Sequence, residues 1–127
     1  MKKSQNPTES EMEILQILWH NGSCTVREVN EVLSEKKDVG YTTTLKIMQI
    51  MADKNIVLRD TSSRTHIYTA AIDQKNTQQS MLNKFITNTF AGSASSLVLQ
   101  ALGNHKTNDD ELKEIKSLIE KIEKGHQ

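Results

Sequence analysis

Several ingredients are scarce in this 127-residue chain, and each scarcity excludes something. There is one cysteine, Cys24, so no intrachain disulfide can form and a reducing compartment is the simple reading. The one proline, Pro7, precedes the first helical pattern. Aromatic residues make up 4% and hydrophobic residues 35%, so the core must be aliphatic and thin. In so short a chain a thin core is often completed by a partner subunit. No stretch approaches the ~18 apolar residues of a membrane span. The start Met1-Lys2-Lys3-Ser4 is basic, but no apolar run follows it, which excludes a usual secretory signal. The expectation is a soluble, cytoplasmic protein without membrane insertion. The 16 basic and 16 acidic residues cancel, which argues against a wholly basic nucleic-acid coat but not against a local patch.

Helical signals dominate. Thr8-Glu9-Ser10-Glu11 is a capping box, a hydroxyl followed three residues on by a carboxylate. Met12, Leu15 and Trp19 then recur at helical spacing, widened by Ile14 and Leu18, up to Asn21-Gly22. A second capping box, Thr25-Val26-Arg27-Glu28, opens a helix carrying Val26, Val29 and Leu33 to about Lys36. After a link ending at Gly40, Thr42 to Lys54 reads as a third helix. Its Thr44, Ile47, Met48 and Met51 share one face, with Thr42, Lys46, Gln49 and Asp53 opposite. Ile56 to Asp60 and Thr65 to Thr69 are β-prone, with apolar Ile67 between polar neighbours, around the polar turn Thr61 to Arg64. Three helices and a hairpin are the order of a winged helix-turn-helix.

Beyond Asp73 the chain is helical again. Met81, Leu82, Phe85, Ile86, Thr89 and Phe90 form a stripe that Gly92 ends. Ala94, Leu97, Val98 and Ala101 give a short helix, stopped by Gly103. Asn108 caps a last helix, with Asp109, Asp110 and Glu111 in its first turn. Its Leu112, Ile115, Ile119 and Ile122 keep a 3-4-3 spacing, thickened by Leu118, too apolar to remain exposed. The fold class is therefore mainly α. A winged helix over residues 1–73 is followed by a three-helix dimerisation arm over residues 74–127. Dimer contacts are expected from Phe85, Phe90, Leu97, Leu112, Ile115, Ile119 and Ile122.

The charge balance hides an asymmetry. Residues 1–35 carry six acids against Lys2, Lys3 and Arg27. Residues 36–64 carry six bases (Lys36, Lys37, Lys46, Lys54, Arg59, Arg64) against Asp38, Asp53 and Asp60. The third helix and hairpin are thus net positive, which suits phosphate contacts and salt-dependent affinity for double-stranded DNA. Gln49 suits adenine, Thr42 and Thr43 offer a hydroxyl and a methyl, and Lys46 reaches guanine or phosphate. The first residues of the second motif helix enter the major groove. Tyr41 stands at that entry, to touch the backbone or pack under the wing. Lys54, Arg59 and Arg64 are the expected backbone and wing contacts. Arg64, at the hairpin tip, can reach a phosphate or a narrow minor groove.

Catalysis has little support. His20 and Cys24 are four apart but straddle Gly22, with no third ligand or orienting acid nearby. Cys24 reads as a small buried residue, His66 as a strand residue, and His105 and His126 as solvated. No glycine-rich phosphate loop or paired-carboxylate constellation is present. The expectation is neither an enzyme nor a metal or cofactor protein. A winged-helix protein-interaction module and a small-molecule-responsive regulator are the competing readings. The net-positive third helix weighs against the first, and no cluster of polar groups points to a ligand for the second.

These segments resemble the BlaI/MecI/CopY family of penicillinase-type transcriptional repressors over nearly the whole chain. The resemblance is carried by residues 8–15 with Leu18-Trp19, by Gly40-Tyr41-Thr42-Thr43-Thr44-Leu45-Lys46, and by residues 51–57, where Asn55 stands in place of a usual glycine. Arg64-Thr65-His66-Ile67-Tyr68, Phe90-Ala91-Gly92-Ser93 and Ser96-Leu97-Val98-Leu99 continue it. The resemblance implies a homodimeric repressor on a dyad-symmetric operator with TACA/TGTA half-sites, joined by intertwined C-terminal helices. It also implies relief by proteolysis in the helix beginning near Leu97, signalled through a membrane sensor with a metalloprotease domain. The family's Asn-Phe cleavage bond corresponds here to Gln100-Ala101, a direct departure. The copper-responsive branch carries a C-terminal cysteine cluster, and this chain has no cysteine after Cys24.

Overall fold

The computed structural model describes residues 6–125. The basic start and His126 lie outside them. Six helices and one hairpin follow in order: α1 Glu9–Asn21, α2 Val26–Ser34, α3 Tyr41–Asp53, β1 Val57–Asp60, β2 Ile67–Ala70, α4 Gln74–Thr89, α5 Ala94–Asn104 and α6 Asp109–Gly125. Both expected capping boxes are formed. The Glu11 amide donates to Thr8 Oγ1 at 3.2 Å and the Thr8 amide to Glu11 Oε1 at 3.0 Å. Thr25 and Glu28 repeat the exchange at 3.1 and 2.8 Å. α1 stops at Gly22, whose φ of 83° is costly for any side chain, and its amide closes on the Leu18 carbonyl.

The first compact unit runs from Met1 to Leu82 and takes in the first half of α4, where Thr77 is buried. Ile14, Leu15, Val29, Met48 and Met51 are fully enclosed in its core, with Val57 and Tyr68 closing it from the hairpin. The buried face of α1 is centred on Ile14, Leu15 and Leu18, while Met12 and Trp19 lie at its flank. The indole N–H of Trp19 donates to the Ile72 carbonyl at 3.1 Å, tying the chain after the wing to α1.

α3 ends in a Schellman arrangement. The Ile56 amide reaches the Met51 carbonyl and the Asn55 amide that of Ala52. Asn55 takes φ of 65°, so the residue standing in for glycine is one of the few side chains that tolerate the left-handed region.

The hairpin is antiparallel, with Val57 opposite Ala70, Leu58 opposite Thr69, Arg59 opposite Tyr68 and Asp60 opposite Ile67. Its second strand starts at Ile67, later than the sequence pattern suggested, because Asp60 and Ser63 bend the tip through local hydrogen bonds. Tyr68, not Ile67, points inward, being 1% exposed against 37% for Ile67. The cause is non-local. Cys24, between α1 and α2, pairs with Tyr68 through two backbone hydrogen bonds of 3.0 and 2.8 Å, adding a one-residue third strand.

The second compact unit comprises Asn83–Gln127. The Asn108 and Glu111 backbone and side chains cap α6 reciprocally. No residue of α5 or α6 is buried. Phe85, Leu99, Leu118, Ile119 and Ile122 are all at least half exposed or close to it.

Candidate nucleic-acid interface

α2 and α3 are set against each other by one polar cluster. The side-chain amide of Asn30 donates to the Val39 carbonyl at 3.1 Å and to Thr44 Oγ1 at 2.8 Å. Thr44 is fully buried, and its hydroxyl in turn donates to the Gly40 carbonyl at 3.3 Å. The turn before α3 is thereby closed from inside, and the rotation of α3 about its axis is fixed. Thr44, Met48 and Met51 face the core while Tyr41, Thr42, Thr43, Lys46 and Gln49 face solvent. A hydroxyl pair, an ammonium and an amide therefore stand free on the leading turns of the helix. Asp53, on the same side, lies at the far end.

The wing brings further cations beside this face. Arg59 and Arg64 are exposed. Among the described residues the ion pairs are Lys37–Glu13 and Lys54–Glu11, so Lys46, Arg59 and Arg64 enter neither. Asp60, the acid nearest the tip, is held below the usual carboxylate range by the hydrogen bonds it accepts from Ser62, and it stays ionised. A cavity of about 380 Å³ opens between wing and helices, lined by Tyr41, Gln49, Arg59 and Arg64 together with Arg27 and His66.

Two neighbourhoods were not visible in the sequence. Lys54, expected at the DNA backbone, has a partner on α1. Its ammonium lies 2.8 Å from Glu11 Oε2, and the Glu11 side chain is 5% exposed, so Lys54 neutralises a buried carboxylate. Arg27 was counted with the acidic first third of the chain, yet it lines the same cavity as the wing arginines. Its one sequence signal was its place in the second capping box, at the entry to the helix before α3.

The residues expected at a dimer contact all lie in α4 to α6 or just after α4. Phe85, Leu112, Ile119 and Ile122 are exposed, while Phe90, Leu97 and Ile115 are half-buried. Phe85 and Phe90 meet edge to face, their ring centres 5.6 Å apart. Gln100 and Ala101 are exposed within α5. No group of three or more potential metal ligands occurs among the described residues. No helix among them is long and apolar enough to cross a membrane.

Residues 7–121 match the penicillinase repressor family. The chain belongs to that family. Its relatives include the penicillinase repressor of Bacillus licheniformis, 23% identical over 94% of both chains. The transcriptional regulator BlaI of Mycobacterium tuberculosis is 36% identical over 54% of this chain and 50% of its own. Among solved structures, the DNA-binding domain of the repressor BlaI aligns with a TM-score of 0.52 at 24% identity, covering 60% of this chain and 93% of that one. A MarR mutant from E. coli complexed with operator DNA aligns with a TM-score of 0.51 at 15% identity, covering 91% of this chain and 74% of that one. The shared fold is the winged helix. This penicillinase repressor relative is accordingly a DNA-binding transcriptional repressor, from a family of regulators and not of enzymes.

Proposed function

We propose that this repressor works as a homodimer on a dyad-symmetric operator, with α3 in the major groove and the wing on the flanking backbone. The observation that carries the reading is the solvent-facing set Thr42, Thr43, Lys46 and Gln49, flanked by Arg59 and Arg64 and free of ion pairing. These groups match base edges and phosphates in kind, and they sit where a recognition helix meets the groove.

The second copy is argued from α5 and α6. A helix of 11 residues with nothing buried is marginal in water by itself. The stripe Leu112, Ile115, Ile119 and Ile122 gives two such chains a shared seam. A dimer of this kind reads half-sites about one helical turn apart, ~34–36 Å. Relief of repression is a cut at Gln100–Ala101, made by a protease answering to a membrane sensor. A protease needs extended backbone, and a helix as short as α5 opens locally at smaller cost than the enclosed helices of the first unit.

The test begins with selection of bound fragments from genomic DNA, then fluorescence anisotropy on the enriched duplex. A palindrome is expected, with salt-sensitive affinity. Lys46→Ala should weaken operator binding by about tenfold, the loss of one good base or phosphate contact. Leu112→Asp or Ile119→Asp should yield monomers in sedimentation. Binding without any shared motif, or intact dimers in both variants, refutes the corresponding part. Intact chain in derepressed cells refutes the proteolytic step.

A further inference from the structure

The cavity between wing and helices has an unusual lining. Arg27 comes from the first turn of α2, Arg59 from β1, and Arg64 from the tip loop. Tyr41, Gln49 and His66 are among its other polar residues, and no carboxylate lines it. The acids next in sequence to Arg27 and Arg59 are turned to backbone amides and do not line the cavity. Glu28 Oε1 accepts the Thr25 amide, and Asp60 Oδ1 accepts the Ser62 amide. With arginines from three elements and no carboxylate in its lining, this concave surface is locally net positive. Guanidinium is the side chain that grips a tetrahedral anion in paired hydrogen bonds.

We propose that this cavity is a seat for a single backbone phosphate of the operator, gripped jointly by Arg27 and Arg59, with Arg64 at its rim. The inference rests on the DNA-binding reading above and deepens it. Gln49 belongs both to the solvent-facing side of α3 and to the cavity wall, so the seat adjoins the base-reading surface. In a helix-turn-helix the helix before the recognition helix crosses the DNA backbone, and Arg27 opens that helix. A phosphate held there sets how far the leading turn of α3 enters the groove. It carries no sequence information.

The experiment is a double-mutant cycle on the full-length protein, with operator and scrambled duplexes read by anisotropy across a salt series. Arg27→Ala should weaken both duplexes by the same factor, leaving their ratio unchanged. Arg27→Ala with Arg59→Ala should lower the salt slope by about one contact, not two, and the two losses should be non-additive because one phosphate is shared. Thermal melts of each variant must match the parent, since both side chains are exposed. Additive losses, a collapsed operator preference, or unchanged affinity in Arg27→Ala overturns the shared seat. Lys46→Ala separates the two levels. If it weakens operator binding while Arg27→Ala does not, the seat falls and the repressor reading stands; if neither variant affects any duplex, that reading falls first. Inorganic pyrophosphate is the remaining arm. Micromolar binding that depends on Arg27, with DNA affinity unaffected by the same substitution, would mark a site for a free anion and overturn the proposal.

Discussion

Replacing Lys54 by methionine isolates the partly buried ion pair that ties α1 to the end of α3. Glu11 is almost wholly enclosed, its side chain 5% exposed, while Lys54 is 31% exposed. One Glu11 oxygen keeps the Thr8 amide at 3.0 Å; the other has Lys54 at 2.8 Å. Removing one partner of a buried pair costs about 3–5 kcal/mol, because a charge is left without compensation. Water reaches Lys54 and the cap survives, so ~2–3 kcal/mol is the better expectation here. For a unit of this size that is roughly 10–20 °C in melting temperature. The single tryptophan, Trp19, packs against this core and reports its unfolding in a thermal or urea melt. Adding Glu11→Gln to Lys54→Met removes the orphaned charge while keeping an acceptor for Thr8, and should recover part of the loss, the remainder reflecting the amide NH2 left without an acceptor. Well below the melting point, duplex affinity and its salt slope should match the parent. An unchanged melt combined with a salt slope lower by about one would refute the reasoning, because Lys54 would then be a phosphate contact.

Two further outcomes follow from the same geometry. Asn30→Leu removes the side-chain amide that donates to Val39 and Thr44; at temperatures where the protein is folded it should reduce the operator-to-scrambled affinity ratio more than nonspecific binding, and an unchanged ratio would show that the cluster does not orient α3. Burial, and secondarily the Glu28 charge, push the Cys24 thiol above its ordinary range, so iodoacetamide should label it slowly in the native protein and at free-thiol rate in urea. The folded state then holds this proton more tightly than the unfolded chain, so the contribution to stability is complete below the unfolded pKa and is lost as pH rises through the folded one. Fast native labelling, or stability rising with pH across that alkaline window, would contradict the assignment.

What the sequence made legible was what neighbours in sequence decide. The boxes Thr8–Glu11 and Thr25–Glu28 span three residues each, so their pattern and their hydrogen bonds coincide. The inward face of α3 followed from helical periodicity alone, with Thr44 buried as part of it. What escaped was decided at long range. Ile67 and Tyr68 are adjacent apolar residues, and only the bridge to Cys24 selects which one faces the core. Lys54 looked like a free cation until Glu11, 43 residues away, proved to be its partner. Arg27 looked like a minority base in an acidic stretch because charge was summed along the chain and not across the cavity. Residues assigned to DNA were therefore readable as a chemical kind, but their neighbours were not.

The short bridge between Cys24 and Tyr68 divides the hairpin into two regimes of tolerance. At its base, every residue is bound by ladder pairing or by the loop before α2, and a single insertion would shift Tyr68 out of the core. Beyond Asp60, the six residues Thr61 to His66 are exposed and held by short local hydrogen bonds. Loop length there is thermodynamically cheap, each doubling costing only about 0.6 kcal/mol. The fold can thus lengthen, shorten or recharge its tip while α3 stays in place, and under the proposed docking a lineage could adjust how tightly it clasps DNA without changing the helix assigned to the bases.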